Sequence, residues 1–342
     1  MIRERVRIVG LVILSLVAAG ASSPAPPQTT ATGAADAHRE SADVWFSVED
    51  RNGQCAPTLG AEDLRVSEDG AAQQIRSFAF RRDSPRAIVI AVDNSMSQAD
   101  ILPSVKRVAQ ALVAALARPG RDTVAVLSFA DEATLEQNFT ADAARAEKAV
   151  ADIYVANPEA AYIGGILIGN QNKQKKQPGS TSLQDALWLV GGEVFAEAPK
   201  DARRVLVLIT DGRENSSEVK KREAMNALLG AGAVIYAIGA GDAKSYEGVD
   251  RKALKDLTER TGGHAYFPVK DPEVREVFTE IRQSLDCQSF LSYAPANRDA
   301  TKSVRKLKIE IANPALRAQA LRVNYPEAYV FGRLPEPPPR RK

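Results

Sequence analysis

Histidine is nearly absent. The 342-residue chain holds two, His38 and His264, which argues against a zinc site built on clustered histidines and leaves little for Ser-His-Asp chemistry. Cysteine is as scarce: Cys55 and Cys287 allow one disulfide or remain as two buried thiols. Charge of one sign is also lacking. The formal net charge is +2, so nothing supports a general nucleic-acid-binding surface. There is no P-loop and no G-x-S-x-G elbow. Gly239-Ala240-Gly241 follows an apolar run but lacks the third glycine of a dinucleotide fingerprint at the right spacing. The apolar run Ile8–Ala18 is too short to span a membrane with confidence.

What is present is the composition of a globular protein, 44% apolar, long enough for two domains or one large domain with additions. Residues 1–21 read as an export signal. Arg3, Arg5 and Arg7 precede the apolar run, and Ala19-Gly20-Ala21 fits a small-residue cleavage site; an uncleaved anchor is the alternative. No cysteine follows that site, which disfavours a lipoprotein anchor. The expected location is periplasmic or secreted, with no membrane span after cleavage. In such an oxidising compartment a Cys55–Cys287 bridge becomes feasible. Closing so long a loop would contribute on the order of 5 kcal/mol in the chain-entropy model. Residues 22–42, rich in Ala, Pro, Ser and Thr, read as a flexible linker. Residues 333–342 form a proline-rich basic tail.

Between these ends the pattern changes twice. Residues 43–82 alternate apolar and polar in short runs, an all-β segment too small to bury a core alone. From about residue 83 to 286, apolar strands alternate with helices. The strands are Ala87–Val92, Thr123–Phe129, Arg204–Thr210, Val234–Ile238 and His264–Phe267, with Ala133–Phe139 as an antiparallel edge. The helices are Ala99–Ala117, Asp142–Ile153 capped by Thr140, Leu183–Ala196, Glu218–Leu229, Arg251–Arg260 and Pro272–Asp286. This order predicts an α/β fold: a doubly wound, mostly parallel sheet with helices on both faces. Residues 287–332 return to β character, with strands over Gln288–Tyr293, Val304–Ile311 and Ala318–Tyr325. They are expected to pair with residues 43–82 in a small β-sandwich that carries the α/β domain as an insertion.

Three strand or helix ends carry oxygen-rich side chains. Asp93, Ser95 and Ser97 follow the first buried strand. Thr181 opens a helix. Asp211 follows Thr210 at the end of another buried strand. In open α/β sheets ligands bind outside the carboxyl ends of the strands, and hard oxygens suit Mg²⁺. Each alone is equally a helix cap or a turn.

Together and in this order, Asp93-x-Ser95-x-Ser97, Thr181 and Asp211 resemble the metal-ion-dependent adhesion site of von Willebrand factor A-type (VWA) domains. The likeness covers roughly residues 85–286. The flanks Val48–Gly53, Asp63–Gly70, Phe290–Pro295 and Arg305–Ile309 are similar to those of an exported VWA-related family common in Acidobacteria. The resemblance implies a VWA/Rossmann-like fold and direct metal ligation by Ser95 and Ser97. It implies charge from Asp93 and Asp211, and a Thr181 that binds directly or through water. The cation would be Mg²⁺, or Mn²⁺ or Ca²⁺. An open position would accept an Asp or Glu carboxylate from a protein partner. The family often has glycine between the two serines; here Met96 stands there and is expected to point into the core rather than shape the rim. Residues 157–180 form a long polar loop leading into Thr181. Its Lys173, Lys175 and Lys176 either edge the site, favouring acidic partners, or sit solvated. The expected function is non-enzymatic, metal-dependent protein binding of the adhesion type. The alternatives are an envelope assembly protein with a purely stabilising metal, and a metal-dependent hydrolase using Asp93.

Overall fold

The computed structural model describes residues 41–56, 59–156, 162–163, 166–167, 180–241, 248–299 and 301–332. The expected signal, nearly all of the expected linker, the basic tail and the lysines at 173, 175 and 176 lie outside the described residues. In chain order, β1 (Ala42–Glu49), β2 (Leu64–Glu68), β3 (Ala71–Gln73) and β4 (Ile75–Phe80) precede the α/β unit. That unit contains β5 (Arg86–Asp93), α1 (Leu102–Leu116), β6 (Thr123–Phe129), β7 (Ala133–Thr140) and α2 (Ala143–Asp152). A small hairpin of β8 (Tyr162–Ile163) and β9 (Ile166–Leu167) follows. Then come α3 (Leu183–Gly192), β10 (Arg203–Thr210), α4 (Lys221–Gly230), β11 (Val234–Gly239), α5 (Arg251–Glu259), β12 (Ala265–Tyr266) and α6 (Asp271–Asp286). The chain returns to strands with β13 (Gln288–Tyr293) and β14 (Val304–Ile311), a short α7 (Pro314–Arg317), β15 (Arg322–Asn324) and β16 (Ala328–Val330).

The central sheet has the order β12-β11-β10-β5-β6-β7, parallel except for the antiparallel edge β7. Every residue of β5 is buried because both faces of the sheet are covered. Alternation along the strand divides the work. Ala87, Val89 and Ala91 pack in the layer that contains α3, α4 and α5, whereas Ile88, Ile90 and Val92 pack in the layer of α1, α2 and α6. Burying each larger aliphatic side chain contributes about 1.5–3 kcal/mol. β5 lies between β10 and β6, so the winding reverses at the β5–β10 crevice, where an open sheet offers its ligand-binding position.

The flanking strands build two antiparallel sheets, β15-β1-β13-β4 and β16-β14-β2-β3. Each mixes strands from before and after the α/β unit, and their inner faces share one core. Val44, Phe46, Leu291 and Tyr293 from one sheet meet Val66, Leu307 and Ile309 from the other. This sandwich sits at the amino-terminal ends of the parallel strands. There Arg86 Nη2 donates to Asp286 Oδ1 at 2.5 Å, and its main-chain N–H donates to Asp122 Oδ1 at 2.9 Å. The Arg203 guanidinium stacks on Trp45 of β1. Cys55 and Cys287 are disulfide-bonded, with their Cα atoms 5.1 Å apart. Among the described residues no helix is long and apolar enough to cross a membrane.

Several local expectations are corrected. The helix after β5 begins at Leu102, not near Ala99: a 3-10 turn over Met96–Gln98 comes first, and Pro103 sits in the first turn, where its missing N–H costs nothing. Asp142, not Thr140, caps α2, accepting from the Ala144 and Arg145 N–H groups; Thr140 Oγ1 instead accepts from Asp142 N. The helix expected over 183–196 stops at Gly192 and resumes as a 3-10 turn over Val194–Glu197. Its Gly191 lies against α4 so closely that a Cβ there would stand 2.6 Å from the Ala227 carbonyl carbon. The strand expected over 318–325 is mostly not a strand. Asn313 and Pro314 start α7, and only Arg322–Asn324 pairs, with β1.

Candidate metal centre

The centre is assembled from the carboxyl ends of β5 and β10. Parallel pairing aligns Val92 with Ile209, so Asp93 and Thr210 emerge side by side. The Thr210 hydroxyl donates to Asp93 Oδ2 at 2.6 Å, and the Ser95 main-chain N–H donates to Asp93 Oδ1 at 3.0 Å. Ser95 Oγ lies 3.0 Å from Ser97 Oγ, which donates to Asp211 Oδ2 at 2.9 Å. Asp93, Ser95, Ser97 and Asp211 therefore form one continuous network. Thr181 is held separately, by the segment that follows Asp211. Its N–H donates to Asn215 Oδ1 at 2.7 Å, and its carbonyl accepts from Asn215 N at 3.2 Å. The segment after Asp211 thus clasps the residue that opens α3.

Asp93, Ser95, Thr181 and Asp211 are buried, whereas Ser97 is exposed. Met96 is 43% exposed, which corrects the expectation that it points into the core. The 3-10 turn directs it outward. Gly212 follows Asp211 with φ +81°, and a Cβ there would meet Leu254 Cγ at 2.9 Å. Only glycine lets the chain turn away here.

Electrostatically the centre is short of positive charge. Burial pushes the Asp93 carboxyl up to about 6, and the Asp211 charge adds to the shift, against hydrogen bonds from Ser95 and Thr210 that favour ionisation. The donors to Asp93 are neutral. Arg213 Nε stands 3.8 Å from Asp211 Oδ2. Among the described residues no three His, Cys, Asp or Glu side chains cluster as a metal site. The donor set is instead two carboxylates with three hydroxyl-bearing neighbours, a combination that suits a hard cation.

Three participants escape a reading based on strand ends and the D-x-S-x-S run. Gln98 is buried, and its Nε2 donates to Asp211 Oδ2 at 3.2 Å. Asn94 donates to the Tyr154 carbonyl at 2.8 Å. Among the described residues, Gln98 Oε1 and Asn94 Oδ1 are buried with no hydrogen-bond partner. The orphaned Gln98 Oε1, on an amide already bonded to Asp211, fits a site completed by a cation and its water. Asn215 is the third, through its grip on Thr181. His264 lies elsewhere. Its Nε2 is 3.6 Å from Glu49 Oε2, at the end of β1. Burial opposes ionisation of Glu49, but the neighbouring His264 and a hydrogen bond from Ser47 Oγ outweigh it and hold its carboxyl below the usual range.

The model of the von Willebrand factor type A domain matches residues 87–280. No curated protein matches significantly. Among solved structures, the conserved hypothetical protein BatB from Bacteroides thetaiotaomicron is 20% identical, with a TM-score of 0.43 over 58% of this chain and 98% of that one. A von Willebrand factor type A protein from Catenulispora acidiphila is 17% identical, with a TM-score of 0.45 over 72% of this chain and 50% of that one. Proximal thread matrix protein 1 from the mussel byssus, with a zinc-occupied MIDAS motif, is 19% identical, with a TM-score of 0.46 over 63% of this chain and 48% of that one. The chain spans about half the length of the last two.

Proposed function

The chain belongs to the von Willebrand factor type A domain family, whose model covers more than half of it, and from that premise we propose an exported protein-binding module rather than an enzyme. It takes a divalent cation, Mg²⁺ or alternatively Mn²⁺ or Ca²⁺, at Asp93, Ser95, Ser97, Thr181 and Asp211. Through that cation it recognises an Asp or Glu carboxylate on a protein partner. The observation that supports this best is the pair of buried carboxylates at the β5–β10 crevice, joined by serine hydroxyls and bordered by the orphaned Gln98 Oε1.

Each residue has a distinct task. Thr210 and the Ser95 N–H hold the Asp93 carboxylate in one orientation. The Ser95 and Ser97 hydroxyls stand close enough to present their oxygens to one point. Asn215 fixes the main chain at Thr181. Exposed Met96 borders the approach. A bound Mg²⁺ supplies a Lewis-acidic centre with six oxygen positions, one of which an incoming carboxylate can fill. Export is supported by the charged and apolar pattern of residues 1–21 and by the disulfide, a bond that persists in oxidising compartments.

Calorimetric titration of Mg²⁺ into wild type and Asp93→Ala tests the metal. The expected result is saturable binding that the substitution abolishes, and no wild-type binding at millimolar Mg²⁺ defeats the proposal. A pull-down from the source organism tests the partner: a bound protein should be released by chelator. Metal binding without any chelator-released partner would point instead to a stabilising ion. Phosphate-ester turnover lost in Asp93→Ala would point to a hydrolase.

A further inference from the structure

The two oxygens of Asp211 keep different company. Oδ1 accepts the Arg213 main-chain N–H at 3.0 Å. Oδ2 accepts from Ser97 Oγ and Gln98 Nε2, and it faces Arg213 Nε at 3.8 Å. The guanidinium is not free to swing away. Its Nε and Nη2 both donate to the Gly248 carbonyl, at 3.1 and 2.9 Å. The backbone reinforces this position, because the Asp250 N–H donates to the Asp211 carbonyl at 2.7 Å. The Arg213 side chain is only 26% exposed. A fixed positive charge is thus pinned, from a neighbouring loop, against one of the two carboxylates that would attract a cation.

Asp93 differs in receiving only neutral donors. The strand end therefore carries two negative charges and one positive, instead of two negative charges alone. A guanidinium is charged at every physiological pH, so this offset is permanent. Two of its donors are committed to one carbonyl, so moving it aside would give up both hydrogen bonds.

We propose that Arg213 is an affinity-determining residue of the metal centre. It acts as a tethered internal cation that competes with the divalent ion for Asp211 and holds the site to weak binding. The inference rests on the reading of the strand end as a metal site. Its sign is fixed by charge. Removing a unit positive charge within a few ångströms of a partly screened divalent ion should tighten binding by about tenfold. The consequence is a site that loads fully only where the divalent ion is plentiful, or where a partner carboxylate restores the negative balance. Metal and partner would then strengthen each other's binding by the same factor.

The test is calorimetric titration of Mg²⁺ into the full chain as wild type, Arg213→Gln, Arg213→Met and Arg213→Lys. A second readout is the rise in melting temperature with Mg²⁺. The two neutral variants should bind about tenfold more tightly than wild type, and Arg213→Lys should stay within about twofold of it. Binding by the neutral variants that equals or falls below wild type would overturn the inference and leave Arg213 as a brace for Gly248. Absence of Mg²⁺ binding in all four proteins would instead defeat the reading of the site itself.

Discussion

Glu68 and Asp93 are both buried carboxylates, 2% and 0% exposed, yet they have opposite neighbours. Glu68, in the sandwich, receives a 2.8 Å hydrogen bond from Arg305 Nη1. It also receives the hydroxyls of Tyr293 and Tyr329. Arg305 is fully buried and stacks on Phe331. Charge and hydrogen bonds close on themselves there. Asp93, at the strand end, faces a second carboxylate across neutral hydroxyls, and unpartnered acceptors lie nearby. A complete network serves the fold. An incomplete one stores a need that a ligand can satisfy.

Four measurements would break or sharpen this contrast. Reducing the Cys55–Cys287 bridge, which closes a separation of 232 residues, should lower stability by about 5 kcal/mol in the chain-entropy picture. Chemical denaturation with and without reductant reads it, and Mg²⁺ affinity of the reduced but folded protein should stay within about twofold. Next, Glu68→Leu should cost about 3–5 kcal/mol, because it strands Arg305 without a counter-charge. Added Mg²⁺ should not restore that loss, and a rescue would erase the distinction between the two regions.

Asp93→Asn should act in the opposite sense. It removes an ionisation that folding disfavours, so metal-free protein at pH 8 should gain about 1–3 kcal/mol in urea denaturation. Metal binding should vanish at the same time. The smallest effect concerns pH. The Asp93 carboxyl, pushed up to about 6 by burial first and Asp211 second, holds its proton more tightly in the folded than in the unfolded chain. Its contribution to metal-free stability therefore falls as pH rises from about 4 through 6. Mg²⁺ affinity should move the other way, dropping about tenfold between pH 7 and pH 5 as the carboxylate is protonated. A flat profile would show that Asp93 is as well satisfied as Glu68.

The fold was legible where burial on both faces leaves an apolar run, and where burial of one face leaves apolar and polar residues alternating. Thr123–Phe129, Gln288–Tyr293 and Val304–Ile311 are strands with those bounds. Alternation could have yielded more. Arg305 is in phase with Leu307, Ile309 and Ile311, and Glu68 with Leu64 and Val66, so the pattern alone places a charged pair on the inner faces. The three-residue β3 and β16 are too short to show a period. At the candidate site, Asp93, Ser95, Ser97, Thr181 and Asp211 stand out because they follow or precede apolar runs. Gln98 and Asn215 do not. Gln98 matters because a 3-10 turn, rather than an α-helix, carries its amide to Asp211. Asn215 matters because the segment after Asp211 folds back over α3 instead of entering α4 directly.

The disulfide also has a mechanical consequence. Cys55 lies just after β1, and Cys287 lies just before β13. A tensile load applied between points outside this pair enters the sandwich, crosses the sulfur bridge and leaves through the sandwich again. The covalent path bypasses residues 56–286, and with them both carboxylates of the strand-end site. Under oxidising conditions the α/β domain therefore hangs on the line of force as a side load, and its strand-end carboxylates keep their arrangement while the chain on either side is under tension.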